Sequence, residues 1–365
     1  MVRSEKKHRI IFIDLMRAFA VIQMVQGHTV DALLAPEFRS DQFPVYFLWN
    51  FMRGMTAPIF MFTAGTVFTY LFRLVDEPFF NNPRVKKGFY RFLLLVCIGY
   101  LLRYPTFTIF DFSDVTQDRL NIFFAVDVLQ LIGFGLLFVM ICAYIAEKLK
   151  LSDTIIFTFF SLFFFIATPF LIKINWLEYF PQPIAGYFYE GTGSLFPLFP
   201  WAGYVVLGGV LGSYLARNPL VFKTNKFSFN LALFGFALIF VSEISVLITG
   251  KYFNYYYITS SYTPDTIVFR VGFVLVLTSL VSFISQKIES IPRIIILVGR
   301  NTLLIYVVHL MILYGSAWNP GLSLLFGSSL NVIETIFCAL VMVTLMGLMV
   351  ILLSKFKFRN KQLVT

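Results

Sequence analysis

The chain has 365 residues, 58% of them hydrophobic and 13% charged, with a mean hydropathy of +0.80. That balance excludes an ordinary soluble core and describes a polytopic membrane protein. The net charge of +10 does not point to nucleic acid, because the basic residues fall in short clusters between hydrophobic runs, as in loops facing an anionic leaflet.

The start, MVRSEKKHR, resembles the basic region of a signal peptide. The segment after it is too long and too polar for a signal core, so it reads as a retained first span. Ten predicted spans lie in order near residues 10–34, 46–72, 89–108, 121–146, 154–173, 194–216, 228–249, 263–284, 294–316 and 329–354. The fold expected is all-α, one membrane domain over 1–365 with short basic tails at 1–9 and 355–365 and no internal repeat. One set of loops holds most of the lysines and arginines: the first nine residues, Arg73 with Arg84 to Arg91, Lys148 with Lys150, Arg217 to Lys226, Lys287 with Arg293, and the C-terminal tail. The other set has little beyond Arg39, Arg119, Lys173 and Lys251. That asymmetry predicts both termini in the cytoplasm of a multi-pass protein of the cell (inner) membrane.

The outer loops, NWLEYFPQPIAGYFYEG and GKYFNYYYITSSY, are rich in aromatic residues. They read as an interfacial belt, or as a platform for sugar rings. The 46 phenylalanines read as lipid-facing and packing bulk. Cys97, Cys142 and Cys338 lie in apolar stretches without a CxxC pair, so neither a disulfide framework nor a metal site is expected.

Span one carries Asp14, Arg17 and His28 on one stripe. At roughly 100° per residue, Arg17 lies about 60° from Asp14, and His28 within about 20° of Arg17. Ionisable groups inside a bilayer mark functional sites by default. His28 sits eleven residues beyond Arg17, about 16 Å further along the helix. Span two begins with Trp49-Asn50 and brings Arg53 to the outer depth of His28, where it suits an oxyanion or, alternatively, a carboxylate partner.

Asp127 and Gln130 in span four are a turn apart and predict a shared cavity wall. Span six carries Pro197 and Pro200 around Trp201, which predicts a broken or re-entrant start. Glu243 and Arg270 read as an ion pair between spans seven and eight. Span nine opens with Gly299-Arg300-Asn301-Thr302, a helix start suited to phosphate or simply a capped end with a snorkelling arginine, and carries Tyr306 and His309 further out.

Arg17 followed by ten residues and His28 resembles the Arg-x10-His signature of integral-membrane acyltransferases. The run from Arg53 through GMTAPIFMFTAG to Thr66 is similar to the second-span motif of the heparan-alpha-glucosaminide N-acetyltransferase-like branch. PLFPWAGYVVLGGVLG (197–212) and VGRNTLLIYVVH (298–309) are similar to two further blocks of its bacterial members. The blocks occur in order and span most of the chain. Two departures stand out: Ala18 follows Arg17 where the family has glycine, and Tyr46 stands near the place of the lysosomal branch's loop histidine, just before Trp49-Asn50. That histidine's role therefore does not transfer to this chain, and His28 is the substitute expected on geometric grounds.

The resemblance implies a multi-span enzyme that moves an acyl group, usually acetyl, from cytoplasmic acyl-CoA to a hydroxyl or amine of a glycan or glycolipid on the other side. Its partners are then acyl-CoA, that acceptor and membrane lipids, with no metal and no nucleic acid. Homodimer formation is left open. In this scheme Arg17, Asp14, Arg300, Asn301, Lys86 and Lys87 hold the CoA phosphates, with Asp14 orienting Arg17. His28 acts as base or as acetylated nucleophile, and Arg53 or Asn50 steadies the oxyanion. Trp201, Asp127, Gln130 and His309 line the acceptor site. The rival readings are a transporter or flippase of a lipid-linked sugar or other anion, and a non-catalytic scaffold or sensor.

Overall fold

A computed structural model describes residues 11–109, 111–218, 220–253, 262–288 and 290–362. The loop stretch 254–261, most of the second aromatic loop, and the first ten residues, with His8, lie outside it. The helices are α1 (Ile11–Leu33), α2 (Pro44–Arg73), α3 (Pro83–Leu102), α4 (Gln117–Phe124), α5 (Val128–Leu149), α6 (Asp153–Leu171) and α7 (Gln182–Ala185). They continue as α8 (Leu198–Arg217), α9 (Asn225–Phe253), α10 (Pro264–Gln286), α11 (Arg293–Arg300), α12 (Thr302–Leu313), α13 (Leu322–Phe326) and α14 (Val332–Gln362).

Local chemistry sets several boundaries. Proline occupies the first helical position of α2, α3 and α10, where no N–H is needed. Asn82, Thr116, Ser152 and Thr263 cap α3, α4, α6 and α10 by accepting backbone N–H bonds. Lys150 ends α5 in the left-handed region, at φ 55°.

Seven of these helical stretches are long and apolar enough to cross a membrane, and the bent pair α11–α12 brings the total to eight. The other two expected spans are helical as well. Helix α1 has 23 residues and α3 has 20, but α1 carries Asp14, Arg17, His28 and Asp31, and α3 carries Arg84, Lys86, Lys87 and Arg91. Their polarity needs protein partners, which α1 finds in α2, α10, α11, α12 and α14.

Three predicted spans are interrupted. Span four is two helices, α4 and α5, separated at Ala125–Asp127. Span six has non-helical backbone at Phe199 and a cis Phe199–Pro200 bond, so its regular helix starts after Pro200. Span nine does not open at Gly299: it begins at Arg293 and bends by 77° between α11 and α12. At that break the Asn301 side chain donates to the Leu297 carbonyl (2.8 Å), and Gly299 lies close to the Asp14 backbone of α1. Irregular backbone of this kind survives at membrane depth where protein supplies the missing partners.

Helix α8 is the most enclosed span and packs against α2, α5 and α6. It approaches α2 through glycine. A Cβ on Gly65 would overlap the Val205 carbonyl, and one on Gly208 the Phe62 carbonyl, so the small-residue seam sets the helix separation. At the basic end, Asp153 of α6 bridges two neighbours. It accepts from Arg73 of α2 at 2.6 Å, from Arg217 at the end of α8 at 3.0 Å, and from the Ser213 hydroxyl at 2.6 Å.

The expected Glu243–Arg270 ion pair is not formed. Glu243 is exposed on the outer side of α9, whereas Arg270 is buried with its guanidinium 5.3 Å from the Trp201 ring centre. The α9–α10 contact is instead made by Gly235 and Gly272, whose backbones approach closely.

Two substitutions probe this packing. Asp153→Asn is expected to cost roughly 3 kcal/mol, because it leaves two arginines without their carboxylate. Gly208→Leu is expected to cost about as much or more, through overpacking against α2. Thermal unfolding in detergent measures both; wild-type midpoints would contradict the packing described.

Candidate functional site

A cavity of about 1110 Å³ opens at the end of the bundle opposite Asp153. Helix α1 contributes Gln23, Met24, Gly27, His28 and Asp31 to its wall, a set whose spacing marks a single helix face. Helix α2 adds Arg53, Gly54 and Phe60, and the segment after α3 adds Arg103 to Phe107. Asp127, Trp201, Arg270, Tyr306 and Tyr314 complete the polar and aromatic wall.

His28 is partly exposed to this cavity and sits among three rings. Its centroid lies 6.5 Å from Tyr306, 5.4 Å from His309 and 6.1 Å from Tyr314, all close to edge-on. The Tyr314 hydroxyl donates to the His28 carbonyl at 3.3 Å. His309 is fully buried behind it, with Nδ1 2.7 Å from the Ile305 carbonyl. A carbonyl only accepts, so Nδ1 carries the proton and Nε2 keeps its lone pair. That Nε2 is buried with no hydrogen-bond partner among the described residues. His309 therefore backs His28 and does not line the cavity.

Two ion pairs frame the histidine. Arg53 Nε donates to Asp31 Oδ2 at 2.6 Å, joining α2 to α1 one turn beyond His28. Arg103 Nη2 donates to Asp127 Oδ2 at 2.8 Å. Asp127 also caps α5: its Oδ1 accepts from the Val128 N–H at 2.7 Å, while Gln130 Oε1 accepts from the Asp127 N–H at 3.3 Å. Gln130 is thus a capping residue packed under Gly99 of α3 and fully buried. It stands outside the cavity wall that Asp127 lines.

Asn50 likewise lies apart from the cavity wall, with its amide 3.4 Å from Asp41 in the outer loop. Tyr46 stacks near Trp49, at 5.5 Å between centroids, and Trp49 donates to Gln26 of α1 at 2.8 Å. Neither Tyr46 nor Trp49, both on the first turns of α2, is in the wall.

The remaining candidates gather at the basic end. Asp14, Arg91 and Arg300 each act electrostatically on Arg17. Lys86 and Lys87 are exposed on the first turns of α3, and Arg300 is exposed at the break before α12. The cavity wall on α1 stops at Gln23, six residues short of Arg17, about 9 Å of helix rise. The structure therefore holds two polar centres, one at each end of the α1 stripe.

Asp31 and Arg103 join the site without having been singled out by motif or spacing. Asp31 has a visible signal, as the residue three beyond His28 on the same stripe. Arg103 has none, since its partner Asp127 is distant in sequence.

Fold and cavity together define a polytopic α-helical membrane protein with a titratable cavity at one end. The chain belongs to the family described as heparan-alpha-glucosaminide N-acetyltransferase, catalytic, whose family model matches residues 9–255. That membership places it among membrane acetyltransferases. The matched stretch carries His28, Arg53, Asp127 and Trp201; Arg270, Tyr306 and His309 lie beyond it. No curated protein matches the chain.

Diethyl pyrocarbonate is expected to modify His28 in folded protein and to spare His309 until unfolding. Peptide mapping by mass spectrometry reads both. Equal reaction of the two would contradict the enclosure of His309.

Proposed function

We propose that the protein transfers an acetyl group from cytoplasmic acetyl-CoA to a hydroxyl or amine of an extracytoplasmic glycan or glycolipid. In this reading it is a multi-pass protein of the cell membrane with its basic end in the cytoplasm, as the loop charges favour. The observation that carries the proposal is the layout of α1: a cationic cluster around Arg17 at the basic end, and His28 in a cavity at the other.

The CoA phosphates bind at Arg17, Arg300, Lys86 and Lys87, with Asp14 holding Arg17 in place. Asn301, committed to the Leu297 carbonyl, shapes the α11–α12 break beside them. The pantetheine arm passes along the α1 stripe toward Gln23 and the cavity floor. Its extended length, roughly 15–20 Å, is comparable with the helix rise from Arg17 to His28.

His28 takes the proton of the acceptor hydroxyl or amine as that atom attacks the thioester carbonyl. The carbon–sulfur bond breaks, CoA leaves as the thiolate, and the proton returns to it. Arg53 gives Nε to Asp31, which leaves its terminal amino groups to face the developing oxyanion. Asn50 has no part in this step, since it lies apart from the cavity wall with its amide toward Asp41. Trp201 and Asp127 form part of the acceptor's wall, and His309 supports His28 from behind.

A transporter remains the second reading, favoured by the broken α11–α12 pair, which resembles the interrupted helices of secondary transporters. The two readings separate in one experiment. Purified protein in nanodiscs is incubated with radiolabelled acetyl-CoA and mixed cell-envelope glycans, wild type beside His28→Ala. CoA release and label transfer are expected to fall by about a hundredfold or more in the variant, and Arg17→Ala is expected to raise KM for acetyl-CoA. Label on the protein itself would identify an acetyl-histidine route. Absence of acyl-CoA binding in well-folded protein would favour the transporter.

A further inference from the structure

His309 is fully buried, and the transfer step gives it no chemistry of its own. Its Nδ1–H is held by the Ile305 carbonyl at 2.7 Å, and its Nε2 lone pair meets no hydrogen-bond partner among the described residues. Leaving a buried acceptor unmatched is costly, so such an atom calls for an explanation. An apolar side chain would fill the same space without that cost. The neighbour that fits is His28. The two ring centres lie 5.4 Å apart, with the planes at 69°. Ring nitrogens stand roughly 1.2 Å from the ring centre, so two that face each other at this separation lie about 3 Å apart, a hydrogen-bond distance. The terminal torsion of histidine has a broad minimum, so a turn of the His28 ring brings that alignment within reach. Other polar groups around His28 are engaged elsewhere. Asp31 accepts from Arg53 and Asp127 from Arg103, and the Tyr314 hydroxyl donates to the His28 carbonyl.

We infer that His309 is a positioning residue: its buried Nε2 accepts the N–H of His28 and so sets which nitrogen of His28 keeps its lone pair toward the cavity. The inference rests on the transferase reading of the same cavity. A neutral imidazole has one donor nitrogen and one acceptor nitrogen. Because the helix holds Nδ1 of His309, only Nε2 is left to accept, and His28 must offer it the nitrogen that carries the proton. The nitrogen toward the cavity is then the base. When it takes the proton of the acceptor hydroxyl or amine, His28 becomes an imidazolium and keeps its other N–H toward His309. The proton passes on to the CoA thiolate, and His309 neither gains nor loses one. An orienting partner of this kind holds the base in its productive tautomer.

The chain has three histidines, so His8→Gln leaves two imidazoles to assign. Solid-state NMR of this full chain in nanodiscs, with histidine labelled by nitrogen-15, reads the pairing at neutral pH. The expected result is an unprotonated His309 Nε2 in contact with the ring N–H proton of His28. Two variants read the consequence. If Nε2 had no role, His309→Leu would keep the wild-type kcat for CoA release. It is expected instead to lower kcat about tenfold or more, with KM for acetyl-CoA unchanged. His309→Gln places an amide oxygen near the position of Nε2 and is expected to recover most of that loss. Thermal midpoints in detergent show whether each variant folds. If either does not, the NMR contact carries the test.

A protonated His309 Nε2, or no contact between it and the His28 ring proton, overturns the inference. So does wild-type kcat in folded His309→Leu. In each case CoA release by the wild type leaves the transferase standing. The NMR contact in protein that releases no CoA retains the histidine pair and removes the transferase reading.

Discussion

The Arg53–Asp31 ion pair joins α2 to α1 one turn beyond His28, at 2.6 Å, and the geometry of the cavity depends on it. Charges at membrane depth are tolerated when they are paired or face a polar cavity. Here both conditions hold together, and Arg103–Asp127 repeats them on another wall. Each pair fixes a helix end that borders the cavity: Asp31 lies in the last turn of α1, and Asp127 is the residue that caps α5. The same contacts that hold the bundle together therefore also set the orientation of the site.

The opposite end is built differently. Asp153 gathers Arg73, Arg217 and Ser213 from two other helices, and the Arg17 cluster remains rich in cations. Between the two ends, α2 and α8 close on each other through Gly65 and Gly208. Backbone packed that tightly resists deformation. The interrupted elements, α4–α5, the start of α8 and α11–α12, all border the cavity or the Arg17 cluster. Rigid seams and broken helices thus divide the work, the former holding the frame and the latter exposing polar groups.

Much of the site is legible in the sequence because helical period maps residues onto one face. Spacing alone places Asp14, Arg17 and His28 on a stripe, and the structure shows Gln23, Gly27, His28 and Asp31 sharing the cavity wall. Trp201 and Asp127 reach the same wall. The errors also have physical causes. Spacing groups Gln130 with Asp127, yet Gln130 turns back to satisfy the start of α5 and packs under Gly99. Depth places Asn50 near His28, yet it bonds Asp41 in the loop. Opposite charge on neighbouring spans pairs Glu243 with Arg270, yet Glu243 is exposed while Arg270 is buried against Trp201.

Taken alone, the sequence determined the properties that composition and helical period dictate: the all-α membrane class, the position of nearly every helix, the alternation of basic loops and the stripe on α1. These are local properties, since hydropathy over about 20 residues and a period of about 3.6 need no knowledge of distant chain. Tertiary structure alone decided the partners: Arg53 with Asp31, Arg103 with Asp127, His309 behind His28, and Arg270 over Trp201. It also decided that α12 turns away from α11 by 77°. Such choices depend on how helices far apart in the chain rotate against one another. A rotation of one residue, about 100°, exchanges a cavity-facing side chain for a lipid-facing one.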